Sequence, residues 1–186
     1  MSVSISELWL VVLLAGVFCW VASALIHMLI KYHNADYQEL ANEDEVSAAL
    51  RASSPAPGLY SMPFCIDMNA MGEEAMQNKF AKGPVVMISV FPNGMPQMGK
   101  LLGQQVLFFI IGSALVAYLA SLALLAGADN MTVFRHVFVA SFLAYGWGQI
   151  PHSIWMGQPW SNCVRYLMDS VIYAVVTAAT FAWLWP

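Results

Sequence analysis

From Tyr166 to Pro186 the chain carries one charge, Asp169, in an otherwise uncharged run. About 20 apolar residues in helical form cross the hydrocarbon core of a bilayer. Three more stretches have the same character: residues 8–30 and 101–126 hold no Asp, Glu, Lys or Arg, and 131–155 hold only Arg135. No water is available in lipid to satisfy backbone groups, so such stretches must be helices. The expectation is an all-α membrane protein with four transmembrane helices, at residues 8–30, 101–126, 131–155 and 165–186. Between the first two lies a small α+β extramembrane segment, residues 31–100. A composition that is 60% apolar and only 10% charged excludes an ordinary soluble domain.

Ala22-Ser23-Ala24 has the form of a signal-peptidase site, but that reading needs a basic start. Met1 to Glu7 contains no Lys or Arg, so the first span is expected to be a retained anchor. Residues 31–100 carry five of the seven basic and eight of the eleven acidic residues. Here Asn42-Glu43-Asp44-Glu45 has the spacing of a capping box and predicts a helix to about Ala52. Leu59–Met62 and the β-branched run Val85–Phe91 predict two strands, and Met71–Ala81 a second short helix. Such a segment is too small to stand alone and is expected to rest on the helices or on neighbouring subunits. Pro151 is expected to kink or end the third span.

Small residues recur every four positions on each span: Ala15, Cys19 and Ser23; Ser113, Ala117 and Ser121; Ala140, Ala144 and Gly148; Ser170, Ala174, Ala178 and Ala182. Such ladders let helix backbones approach closely, which drives association in lipid. They predict a protein working by assembly, as a homo-oligomer or as an accessory subunit of a larger membrane complex. Lys31, Lys100 and Arg165 flank the spans on one side and Arg135 on the other. The positive-inside rule then puts residues 31–100 and 157–165 in the cytoplasm and both termini outside. Cys19, Cys65 and Cys163 form no CxxC pair, and in that orientation Cys65 and Cys163 stay reduced. The scattered basic residues give no footprint for nucleic acid.

Polar residues of the spans gather at one membrane level: Ser23, His27, Gln104, Gln105, His152, Arg165 and Asp169, with Tyr173 a turn deeper. Arg165 and Asp169 are one turn apart and are expected to pair, with His152 as the acid's partner across helices. His33, beside Tyr32, reads as a solvated interfacial residue, and Arg135-His136 as a headgroup contact. A structural polar network is the plain interpretation of the cluster. The chemical alternatives are a metal or haem site on His27 and His152, and a proton or small-ligand site centred on Asp169. Seven methionines (Met62, Met68, Met71, Met76, Met87, Met95 and Met98) with Cys65 raise copper(I) as a further option. Met also fills gaps in small domains, and no cofactor is predicted outright. GxSxG, GxxxxGK[ST], HExxH and GxGxxG are all missing.

Pro57-Gly58-Leu59-Tyr60, Gly83-Pro84-Val85, Met98-Gly99-Lys100, Ile154-Trp155-Met156-Gly157-Gln158-Pro159-Trp160 and Phe181-Ala182-Trp183-Leu184-Trp185-Pro186 resemble a family of small bacterial integral-membrane proteins. That family has no assigned activity. The resemblance implies a bacterial cytoplasmic-membrane setting and no site residues.

Overall fold

The computed structural model describes residues 2–186. Two compact units divide the chain: residues 2–37 with Gln97–Pro186 form one, and Gln38–Pro96 the other.

The larger unit is a ring of four helices. Helix α1 (Trp9–Leu25) continues a 3₁₀ turn, Ile5–Leu8, and runs on into a π turn, Ile26–Ile30. The 3₁₀ turn starts at a capping box: Ser4 accepts from Ser6 N–H, and Ser4 N–H donates to Glu7 at 2.8 Å. Two short helices of the smaller unit, α2 (Glu43–Ser53) and α3 (Glu74–Lys82), come next in the chain. Then follow α4 (Met98–Ala123), α5 (Asn130–Tyr145), the six-residue α6 (Ile150–Trp155) and α7 (Trp160–Leu184). Helix α7 packs on α1 and α5, and α4 packs on the same two from the opposite side. Leu8 of the 3₁₀ turn and Val11 and Ala15 of α1 meet Val116, Ala117 and Ala120 of α4, Val133 and Val137 of α5, and Ala178 and Phe181 of α7 in one buried core. At Gly16 an added Cβ would come within 2.8 Å of the Ile110 side chain and 3.0 Å of its backbone, so glycine sets the α1–α4 approach.

Three helices are long and apolar enough to cross a membrane: Ile5–Ile30, Met98–Ala123 and Trp160–Leu184. The expected third span, 131–155, is not one helix. It breaks after Tyr145 into a 3₁₀ turn, Trp147–Gln149, and then α6. The proline ring of Pro151 clashes with a helical carbonyl four residues earlier, at Trp147, so the irregular turn falls there. Pro151 opens α6 instead of ending a longer helix.

The ladders of α1 and α7 lie inside the bundle, with Ala15, Cys19, Ser23, Ser170, Ala174 and Ala178 buried and Ala182 half-buried. On α4, Ser113 and Ala117 are buried, while Ser121 is half-buried and donates to the Tyr118 carbonyl. The α5 ladder is a correction: Ala140 is half-buried, and Ala144 and Gly148 are exposed. The inward face lies one residue along, at Val133, Val137, Ser141 and Tyr145. Two valines and a tyrosine, with one serine among them, fill that side of the ring.

One end of the bundle gathers Ser2 and Pro186 with the α4–α5 connection. Ser2 bridges to Leu125, Gly127 N–H donates to the Pro186 carbonyl at 2.7 Å, and the Trp185 indole N–H donates to the Leu125 carbonyl at 3.0 Å. Asp129 caps α5 there, accepting from the backbone N–H groups of Met131 and Thr132.

The smaller unit adds to α2 and α3 an antiparallel pair, β1 (Gly58–Met62) and β2 (Val86–Val90), registered Gly58 to Val90 and Met62 to Val86. Asn42 stands at the start of α2, but its side chain reaches Glu45 instead of a backbone N–H, so the expected capping box is not formed. No residue from 38 to 96 is buried.

Candidate functional site: a charged histidine–aspartate network

The bundle end away from the termini is shaped by the way α1 stops. The last turn opens to a π turn, in which Lys31 N–H donates to the Ile26 carbonyl at 2.8 Å. Lys31 takes left-handed backbone angles (φ 57°), a conformation that costs a residue with a Cβ about 1–2 kcal/mol. The chain thereby reverses into a 3₁₀ turn, Tyr32–Asp36, which lies on α7. π turns of this kind recur at functional sites.

Asp169, 3% exposed, receives two donors from that turn. The Tyr32 hydroxyl donates to Oδ1, and His33 Nε2 lies 2.8 Å from Oδ2. The other ring nitrogen of His33, Nδ1, lies 2.6 Å from Asp36 Oδ2. Arg165 pairs with Asp36 Oδ1, and the Asn162 amide donates to the Asp36 carbonyl at 3.2 Å. Arg165 also reaches Asn162 Oδ1 at 3.2 Å. The result is one chain of contacts: Arg165, Asp36, His33, Asp169, Tyr32. Side-chain exposures of 2% for Asp36, 5% for Asp169 and 10% for His33 mean that most of this charge is desolvated, which demands full pairing. Ionised carboxylates only accept, so both ring nitrogens of His33 must carry hydrogen while both aspartates are ionised. With Arg165 the group then sums to zero charge.

His27 stands beside this chain. Its ring stacks on His33 with centroids 4.7 Å apart and planes 2° from parallel, and its Nδ1 lies 2.9 Å from the Ser23 carbonyl. Tyr166 closes over His33 at 5.1 Å. Among the described residues, His27, His33 and Asp169 are the one group of His, Cys, Asp and Glu side chains whose ligand-type atoms, one from each, all lie within 4.8 Å of one another.

The expected cluster is therefore partly brought together. His27, Arg165 and Asp169 meet as their shared membrane level implies. His33 is a correction: it is buried, because the left-handed residue at Lys31 turns it back onto α7. His152 is exposed on the short α6 and stands outside the group that holds His27, and the acid's partners across the bundle are Tyr32 and His33 instead of His152. Arg165 does not pair with Asp169 as expected, because Asp36 offers it a carboxylate nearer the helix start. Tyr173 does not serve Asp169 either. It sits deeper, edge-on to Phe109 at 5.0 Å and to Tyr145 at 6.2 Å. Gln104 is exposed and Gln105 half-buried, and neither side chain makes a hydrogen bond among the described residues. Tyr32, Asp36 and Asn162 are not among the residues expected in the cluster, and His33 is expected in water. Their signal was the His33-x-x-Asp36 spacing, just past a span, facing an arginine that needed a carboxylate.

Neither a protein-family model, nor a curated protein, nor a solved structure matches this chain.

Proposed function

We propose that this chain is an integral protein of a bacterial cytoplasmic membrane that works by assembly, as a homo-oligomer or as an accessory subunit of a membrane complex. One observation carries the reading. Residues 38–96 have no buried residue, yet Phe64 is 67%, Ile66 80% and Phe91 77% exposed. Exposed apolar side chains on the spans are ordinary in lipid, but on an extramembrane unit they mark a contact surface. A unit of this size without a core of its own needs cover to be stable. Gly99 and Gly103, a GxxxG pair on α4 with open space where each Cβ would stand, support the same reading within the bilayer. The positive-inside rule turns the His–Asp end, and with it residues 38–96, toward the cytoplasm.

Extraction from membranes in a mild detergent tests this by native mass spectrometry and amide hydrogen exchange. The expected result is a particle heavier than one chain, or a second protein that co-purifies. Amides of β1 and β2 then exchange slowly in the particle and quickly once it is dissociated. A uniform single-chain particle whose strand amides are just as protected would overturn the proposal.

A second reading, a metal-binding subunit, gains a specific observation from the His27–His33–Asp169 group and stands independently of the assembly proposal.

A further inference from the structure

We infer that His27, His33 and Asp169 form a binding site for one divalent first-row transition-metal ion, held at the end of the bundle by two imidazoles and one carboxylate.

The lone pairs argue for it. A backbone carbonyl only accepts, so the Nδ1 of His27 that faces the Ser23 carbonyl at 2.9 Å carries the hydrogen. The Nε2 of a neutral His27 is then a free lone pair. Asp36, anchored by Arg165, faces Nδ1 of His33 at 2.6 Å and fixes hydrogen there too. This leaves His33 Nε2 as the atom directed at Asp169. Metal-binding histidines characteristically give their second N–H to a carbonyl or a carboxylate, and this site has one of each. Asp169 is prepared in the same way, with Tyr32 donating to Oδ1 while Oδ2 faces His33. Two histidines and one carboxylate suit zinc with an open fourth position, or iron(II) and its neighbours. Calcium and magnesium prefer oxygen ligands.

Proton and ion compete for one place. Without an ion, a hydrogen on His33 Nε2 bridges to Asp169 Oδ2 across 2.8 Å. Binding inserts the cation between those atoms and releases that proton to solvent. The group's charge rises by one, from zero to +1: two positive charges enter and one leaves. His27 must also tilt off His33, since parallel rings do not aim their in-plane lone pairs at a common point. Its exposed position permits the tilt.

His27 makes the test decisive, because it lies outside the ion-pair chain that holds the turn to α7. The full chain in detergent is loaded with zinc or cobalt(II) chloride and desalted, and bound metal is measured by mass spectrometry of the elements. Cobalt coordination is followed by its visible absorption. Wild type should retain about one equivalent of ion, as a single site requires. His27→Ala should fold normally without metal yet bind about tenfold more weakly or worse, and lose the cobalt bands. His152→Ala and His136→Ala should match wild type. Asp169→Asn should also lose the ion; if that variant does not fold, His27→Ala decides alone. Retention of no metal by folded wild type would overturn the site, as would His27→Ala binding metal as wild type does. The network would then be structural only.

Discussion

At the scale of single residues, Asp169 holds the network together, since it is the shared acceptor of Tyr32 and His33. Asp169→Ala leaves the Nε2 of His33 and the Tyr32 hydroxyl without their acceptor, while Asp36 still holds the other ring nitrogen, and a lost buried partner of this kind costs about 1–3 kcal/mol. Asp169→Asn keeps an acceptor oxygen and the shape, and is expected to lose less. Thermal unfolding of both variants beside wild type in one detergent checks the order. Equal melting of all three would mean that the carboxylate carries no weight in the fold. The position of Asp169 was readable from the sequence, as the lone acid in a span. The identity of its partner was not. Helical periodicity pairs residues three or four apart, and so pointed to Arg165. The actual contact spans 136 positions to His33 and depends on one left-handed residue at Lys31, which no periodic pattern encodes.

At the scale of elements, the break between α5 and α6 makes two glycines unequal. A Cβ on Gly146 would stand 2.5 Å from the Cβ of Ser170 and 2.6 Å from its hydroxyl, whereas one on Gly148 would meet nothing within 4 Å. Gly146→Ala is therefore expected to push α5 off α7 and to cost about 1–3 kcal/mol, as overpacking does. Gly148→Ala should melt like wild type, and the same thermal assay reads both. The sequence placed Gly148 in the packing ladder and passed over Gly146, because the four-residue period was carried up to the expected kink at Pro151, whereas α5 already ends at Tyr145. The cap of α5 yields a pH prediction. Hydrogen bonds from Thr132, side chain and backbone, together with Met131 N–H and nearby Arg135, hold the Asp129 carboxyl below its ordinary value of 3.8. A depressed carboxyl stabilises the fold fully above that ordinary value and loses the contribution as pH falls through its lowered one. The difference in melting between wild type and Asp129→Asn should be constant near neutrality and change only in strong acid. A change centred between pH 6 and 8, where histidine titrates, would contradict the assignment.

At the scale of the whole molecule, the membrane character was legible because length and the absence of charge suffice to announce a span. The number of clean spans was less legible, since hydropathy does not register a break made by proline and backbone geometry. Topology is open to direct measurement through the cysteines. Cys19 and Cys163 are buried, while Cys65 is only half-buried on the smaller unit. In intact cells a membrane-impermeant maleimide should leave the chain unlabelled, and permeabilisation should admit label at Cys65 alone. Labelling of Cys65 in sealed cells would reverse the orientation drawn from Lys31, Lys100 and Arg165.

The π turn at Ile26–Ile30 contains one residue more than an α turn spanning the same stretch. A π turn closes its hydrogen bond over five residues where an α turn uses four, so the extra residue is taken up in a wider ring at the very end of the apolar run. The rest of α1, with its contacts to α4 and α7, is indifferent to the insertion. Loss of a single residue within 26–30 is expected to return the turn to α geometry and to disturb the left-handed position at Lys31 that aims the Tyr32–Asp36 turn at α7. The bundle would still close, and only the His–Asp chemistry would vanish. Fold and site are thus separable by one codon.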